Sequence, residues 1–127
     1  MTTGFLFDEN LPSALAAQLR HKAPAICVFA VGYGDAQPWA TPAPDLLCWL
    51  EAHDCWLVTN NRASMPGHLR DHLAKGRRVP GILAVRAPLN FGAVIEGLIL
   101  VHGASLPDED RDRIEYLPKI ASRGSGL

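Results

Sequence analysis

Three short stretches carry side chains whose chemistry goes beyond what a folded core needs: Asp8-Glu9-Asn10, Asp45, and Thr59-Asn60-Asn61-Arg62. Asp8, Asp45 and Asn61, two carboxylates and a carboxamide, would form an oxygen-rich pocket if brought together, the ligand set that Mg²⁺ or Mn²⁺ takes in preference to zinc. A cation held there polarises a phosphodiester, lowers the pKa of a bound water and positions that water for in-line attack. Without a cation, clustered carboxylates repel one another and some protonate. Each residue also has a plainer reading, because Asp8 or Asn10 can cap one helix and Asp45 the next.

The surrounding apolar pattern describes the elements that must carry these residues to one place. Phe5-Leu6-Phe7 runs straight into Asp8, and Leu11, Leu15 and Leu19 then recur every fourth residue, so the spacing predicts strand, acidic turn, helix. Ile26 to Val31 reads as a second strand, and Gly32 to Pro44, rich in Gly and Pro, as a loop. Asp45 is expected to start a helix with Leu46, Trp49 and Leu50 on its apolar face, ending near His53-Asp54 before a third strand, Cys55 to Thr59. Met65, Leu69 and Leu73 mark a third helix, with Pro66 in its first turn and Gly76 as its stop. Gly81 to Val85 reads as a fourth strand, Phe91 to Ile99 as a largely buried helix, and Arg113 to Leu117 as a short edge strand closed by Pro118.

Strands alternating with helices predict an α/β domain with parallel pairing, right-handed crossovers and helices on both faces of the sheet. Such sheets bind ligands beyond the carboxyl ends of their strands, where Asp8-Glu9-Asn10 and Thr59 to Arg62 both fall. One domain over residues 1–120 and a frayed tail over 121–127 are expected, with no internal repeat or low-complexity linker.

With 127 residues, 48% of them hydrophobic and 20% charged, the chain is long enough to bury a core without disulfides or a structural metal. Its formal net charge of -1 excludes a protein that grips nucleic acid through bulk positive charge, while leaving room for a local basic patch. Cys27, Cys48 and Cys55 are odd in number and form no CxxC pair, so buried thiols in a reducing, cytoplasmic setting are expected. No signal-peptide pattern opens the chain, and the longest apolar run, near Val94 to Val101, is broken by Glu96 and Gly97, so no membrane span is expected.

The runs FLFDENLPSALAAQLR at 5 to 20, APDLLCWLEAHDCWLVTNNR at 43 to 62 and PGIL at 80 to 83 resemble PIN-like proteins related to VapC-type toxins. The similarity covers most of the first ninety residues and rests on the order and spacing of short motifs. It implies a three-layer α/β/α PIN-like fold with a mostly parallel central sheet, whose acidic residues bind Mg²⁺ or Mn²⁺ and cleave single-stranded RNA. Asp8 matches the family's first acidic position, Asp45 the second, and Thr59 the threonine or serine that ends the third strand. Asn61 falls where the family usually has an aspartate. Asparagine can ligate through its carbonyl oxygen but adds no negative charge, so activity follows from the resemblance less directly than fold does. Glu9 and Asp35 are substitute carboxylates ranked below Asp8 and Asp45.

Around this site Arg62 and Asn10 read as substrate contacts, with Asn61 completing the metal shell and Thr59 ordering it. His68, Arg70, Lys75, Arg77 and Arg78 offer a basic side to a phosphate backbone, although Lys75, Arg77 and Arg78 better suit ordinary charge at a helix C-terminus. His68 and His72 have the spacing of a two-histidine metal site but lack an evident third ligand, and read as exposed or partly buried polar residues. Trp49 and Trp56 read as core, and Trp39, in the loop, as a base-stacking candidate. No GxxxxGK[ST], GxGxxG or GxSxG occurs. A response-regulator receiver is disfavoured because Asn60 or Asn61 stands where its phosphorylated aspartate is needed. The leading expectation is a toxin-like endoribonuclease acting with a cognate antitoxin. The alternative is a catalytically weak or inactive module that binds RNA or a protein, and a homodimer through Phe91 to Val101 is a third idea.

Overall fold

A computed structural model describes residues 4–9, 11–32, 42–61, 63–86, 90–104 and 114–117 of the chain. Among them, strands β1 (Gly4–Phe7), β2 (Cys27–Ala30), β3 (Cys55–Thr59), β4 (Ile82–Val85) and β5 (Ile114–Leu117) alternate with helices α1 (Ser13–Lys22), α2 (Ala43–His53), α3 (Met65–Ala74) and α4 (Phe91–Ala104). All four strand pairings are parallel, in the order β2-β1-β3-β4-β5. The three inner strands are buried along their whole length, so they read as continuous apolar runs and not as alternating ones.

Alternation still decides which layer each side chain enters. Phe5 and Phe7 of β1, Trp56 and Val58 of β3, and Leu83 and Val85 of β4 pack with Leu15 and Leu19 of α1 and with Val94, Leu98 and Val101 of α4. The residues between them, Leu6, Leu57 and Ile82, pack with Leu47 and Leu50 of α2 and Leu69 of α3. The domain is therefore an α/β/α sandwich with two helices on each face, held by two apolar cores in which each fully buried Leu or Phe contributes about 1.5–3 kcal/mol. Within these cores Trp56 stacks on Phe5 and Trp49 meets Phe29 edge to face, so both tryptophans are core residues, as the sequence suggests.

The crossovers depart from expectation in one place. From β1 to β2 the chain steps one way with α1 on one face; from β2 to β3 and from β3 to β4 it steps the other way with α2 and α3 on the opposite face, so these three connections share one hand. The step from β4 to β5 continues in the second direction, yet α4 lies on the α1 face, giving that connection the opposite hand to the rest. The physical reason is coverage: α1 alone leaves the faces of Trp56, Leu83 and Val85 open, and the apolar side of α4 closes them. Burial here overrides the usual handedness of parallel crossovers.

Helix ends show how local sequence sets the boundaries. Both α2 and α3 carry a proline at their first or second position, where no N–H is missed. Pro44 thus lies inside α2 and not in the preceding loop, and α2 starts at Ala43, two residues before Asp45. Asp54 ends α2 in the left-handed region at φ 56°, its N–H donating to the Leu50 carbonyl, and Gly76 turns the chain after α3 at φ 79°. The caps of α1 and α2 are Pro12 and Pro42, with no side-chain cap bond, so neither Asp8 nor Asp45 is the capping residue that its plainer reading made it. No described helix is long and apolar enough to cross a membrane.

The stretch expected to offer a self-association face is instead turned inward: Val94, Ile95, Leu98 and Val101 are buried, and Leu100 is the one large hydrophobic side chain exposed among the described residues. The tail at 121–127 and the loop carrying Asp35 and Trp39 lie outside the described residues.

Candidate functional site

In a sheet of order 2-1-3-4-5, the chain leaves β1 and β3 toward opposite faces, and the crevice beyond their carboxyl ends is the place where doubly wound sheets take ligands. Asp8 and Thr59 stand there. Asp8 follows β1 without leaving the ladder, since its N–H donates to the Val58 carbonyl at 2.9 Å. Extending the β1–β3 register by one residue sets Asp8 beside Thr59, and both fall on the face covered by α2 and α3.

The two side chains are in contact. The Thr59 hydroxyl, fully buried, donates to Oδ2 of Asp8 at 2.7 Å, and Asp8 itself is only 8% exposed. Thr59 Oγ1 in turn accepts the backbone N–H of Asn61 at 3.0 Å. A hydroxyl has one proton, and here it goes to the carboxylate while a lone pair receives the amide, so the orientation of Asp8 is dictated by backbone geometry after β3. A carboxylate in such a place requires partners, because burying it unpaired would be very unfavourable.

Asn61 is joined to this pair by its backbone, and its side chain has another engagement. Its Oδ1 accepts from the Ser64 N–H at 3.2 Å and the Ser64 hydroxyl at 3.0 Å, and its Nδ2 lies 2.8 Å from the same hydroxyl. The carboxamide therefore shapes the turn leading into α3, and it would have to leave Ser64 to ligate an ion beside Asp8. Ser64 was not singled out in the sequence, although Asn and Ser three residues apart before Met65 are a local signature of such a turn.

Asp45 is exposed and sits in the first turn of α2, where its negative charge complements the helix dipole. Because α2 leads back into β3, its first turn lies at the carboxyl edge of the sheet, over the face that holds Asp8 and Thr59. Asp8, Thr59, Asn61 and Asp45 thus share one edge. The two proposed substrate contacts, Arg62 and Asn10, lie outside the described residues.

The donor set suits a hard cation only in a reduced form. Among the described residues no group of three or more His, Cys, Asp or Glu side chains is placed to hold a metal ion. The carboxylates at this edge, among the described residues, are Asp8, held by Thr59, its neighbour Glu9, and Asp45. Mg²⁺ is commonly held by one or two carboxylates with waters and other oxygens completing its shell, so these residues fit a cation only where further oxygen ligands are supplied from outside the chain.

The histidine pair takes a different course from the sequence reading. His68 is half-buried, but His72 is buried, its Nε2 lying 3.1 Å from the Arg78 carbonyl and 3.5 Å from Glu51 of α2. Arg77 Nε meets the same Glu51 oxygen at 3.2 Å. His72 therefore clips α2 and the α3–β4 turn together. Since α3 runs away from the carboxyl edge, Lys75, Arg77 and Arg78 come at the opposite end of the domain from Asp8, which removes them from any basic path beside the site.

Comparison with protein-family models, with curated proteins and with solved structures finds no match to this chain.

Proposed function

We propose that this chain is a small PIN-like, metal-dependent endoribonuclease, a toxin-like protein working against a cognate antitoxin. The observation that supports it most is the buried Asp8 carboxylate, oriented by Thr59, at the β1–β3 switch point. Asp8 and Asp45 are the residues that would hold Mg²⁺ or Mn²⁺. The ion supplies phosphate polarisation and an acidified water when bound.

The protein's own contribution is orientation. Thr59 fixes Oδ2 of Asp8, and the Asn61 N–H keeps the hydroxyl from rotating away. Arg62, directly after Asn61 in sequence, is the residue proposed to meet a phosphate of single-stranded RNA.

The test is cleavage of a mixed single-stranded RNA pool with Mg²⁺ or Mn²⁺, comparing the wild type, Asp8→Asn and an EDTA control, each shown to be folded. Metal-dependent cleavage lost in the variant is expected. Folded wild type that neither cleaves nor binds Mn²⁺ would overturn the reading.

One observation favours a second reading, a weak or inactive module that binds RNA or a protein. The Asn61 carboxamide oxygen already accepts from Ser64, leaving fewer oxygen ligands than a divalent ion prefers. Asn61→Asp separates the two: a crippled nuclease gains metal affinity and cleavage, whereas a binding module gains neither.

A further inference from the structure

A cavity of about 150 Å³ opens beside Asp8, between the carboxyl ends of β1 and β2 and the first turn of α1. Leu11, Ala16 and Ala30 give it apolar walls, and Asp8, Glu9 and Ser13 contribute polar residues to its lining. Its volume is well under the roughly 300 Å³ at which pockets for whole small ligands begin, so it takes one ring system of something larger. The apolar walls suit a flat heterocycle better than a hydrated sugar or a phosphate group.

Glu9, half-buried in this lining, has no task in the proposed reaction. A carboxylate accepts hydrogen bonds and cannot donate them, so it favours a base edge carrying an exocyclic amino group, as when Glu accepts from cytosine N4, and disfavours one presenting carbonyls. We infer that this cavity is a base-selecting subsite that holds an amino-bearing base, cytosine or adenine, with Glu9 as the specificity residue, against uracil. The inference rests on the proposed ribonuclease reading, whose phosphate would sit at Asp8 next door.

Nucleosides test it without involving the metal or the cleavage step, because they carry no phosphate. Cytidine, adenosine and uridine are titrated separately into the full chain and followed by amide NMR. Cytidine and adenosine are expected to shift Leu11, Ala16 and Ala30, and to bind about tenfold more tightly than uridine. Glu9→Gln, which can donate as well as accept, is expected to bring the three affinities together, and Ala30→Leu to remove binding from a protein whose spectrum remains folded.

Equal binding of all three by the wild type, or shifts confined to residues elsewhere, overturns the inference, as does absence of any shift at millimolar nucleoside. Amino-selective binding by a protein that cuts no RNA leaves the subsite standing and sinks the nuclease reading. RNA cleavage with no nucleoside selectivity does the reverse.

Discussion

Thr59 is the residue on which the site's geometry turns. Its hydroxyl gives its one proton to Asp8 and receives the Asn61 amide, so Thr59→Val removes one buried and one part-buried hydrogen bond and keeps the shape. The expected loss is about 2–3 kcal/mol, read as a lower urea midpoint at unchanged slope. Thr59→Ser should recover most of it. If valine proves neutral, the Asp8 carboxylate is supported by something other than Thr59, and the orientation argument fails with it. The position was legible in the sequence because a threonine ending an apolar strand stands out, and so was Asp8. The engagement of Asn61 was not, since a carboxamide three residues from a serine and one needed at a metal look alike until the rotamer is seen.

At the scale of elements, β1 and β2 approach unusually closely where Gly4 faces Cys27. A Cβ at Gly4 would come 2.0 Å from the Cys27 carbonyl oxygen and 2.8 Å from its Cβ, and backbone cannot swing aside as a long side chain can. Gly4→Ala is therefore expected to cost about 1–3 kcal/mol or more through displacement of β2, visible as a fall in thermal midpoint and faster amide exchange in Cys27 to Ala30. On α4, two leucines two residues apart should behave oppositely. Leu98 is fully buried and Leu100 is 67% exposed, so Leu98→Ala should cost about 2–5 kcal/mol and Leu100→Ala within about 0.5 kcal/mol. Equal effects in urea melts would place the inward face of α4 elsewhere.

For the molecule as a whole, the proposed site predicts a linkage between metal and stability. An ion that binds the folded chain alone raises its stability by about 2.7 kcal/mol at a hundred times its dissociation constant. Thermal melts should rise with added Mn²⁺ for the wild type, fall back with EDTA, and show no rise for Asp8→Asn. A rise of the same size in both proteins would place the ion away from the β1–β3 edge. His72 ties the α2–α3 layer together at the end of the domain away from Asp8.

Local pattern was enough for the elements and for where their ends would bear chemistry. The apolar runs at Phe5 to Phe7 and Cys55 to Thr59, and the four-residue spacing of Met65, Leu69 and Leu73, correspond to β1, β3 and α3 because period and capping are properties of neighbouring residues. The rule that strand ends in parallel sheets hold ligands then singled out Asp8 and Thr59. Relations between distant residues were beyond it. The burial of His72, the reversed hand of the β4–β5 connection, the inward turn of Val94 to Val101 and the cavity beside Glu9 each depend on which surfaces remain uncovered once the sheet is assembled. Apolar area is a shared quantity of the whole chain, and the layer that most needs covering exists only after the strands have paired.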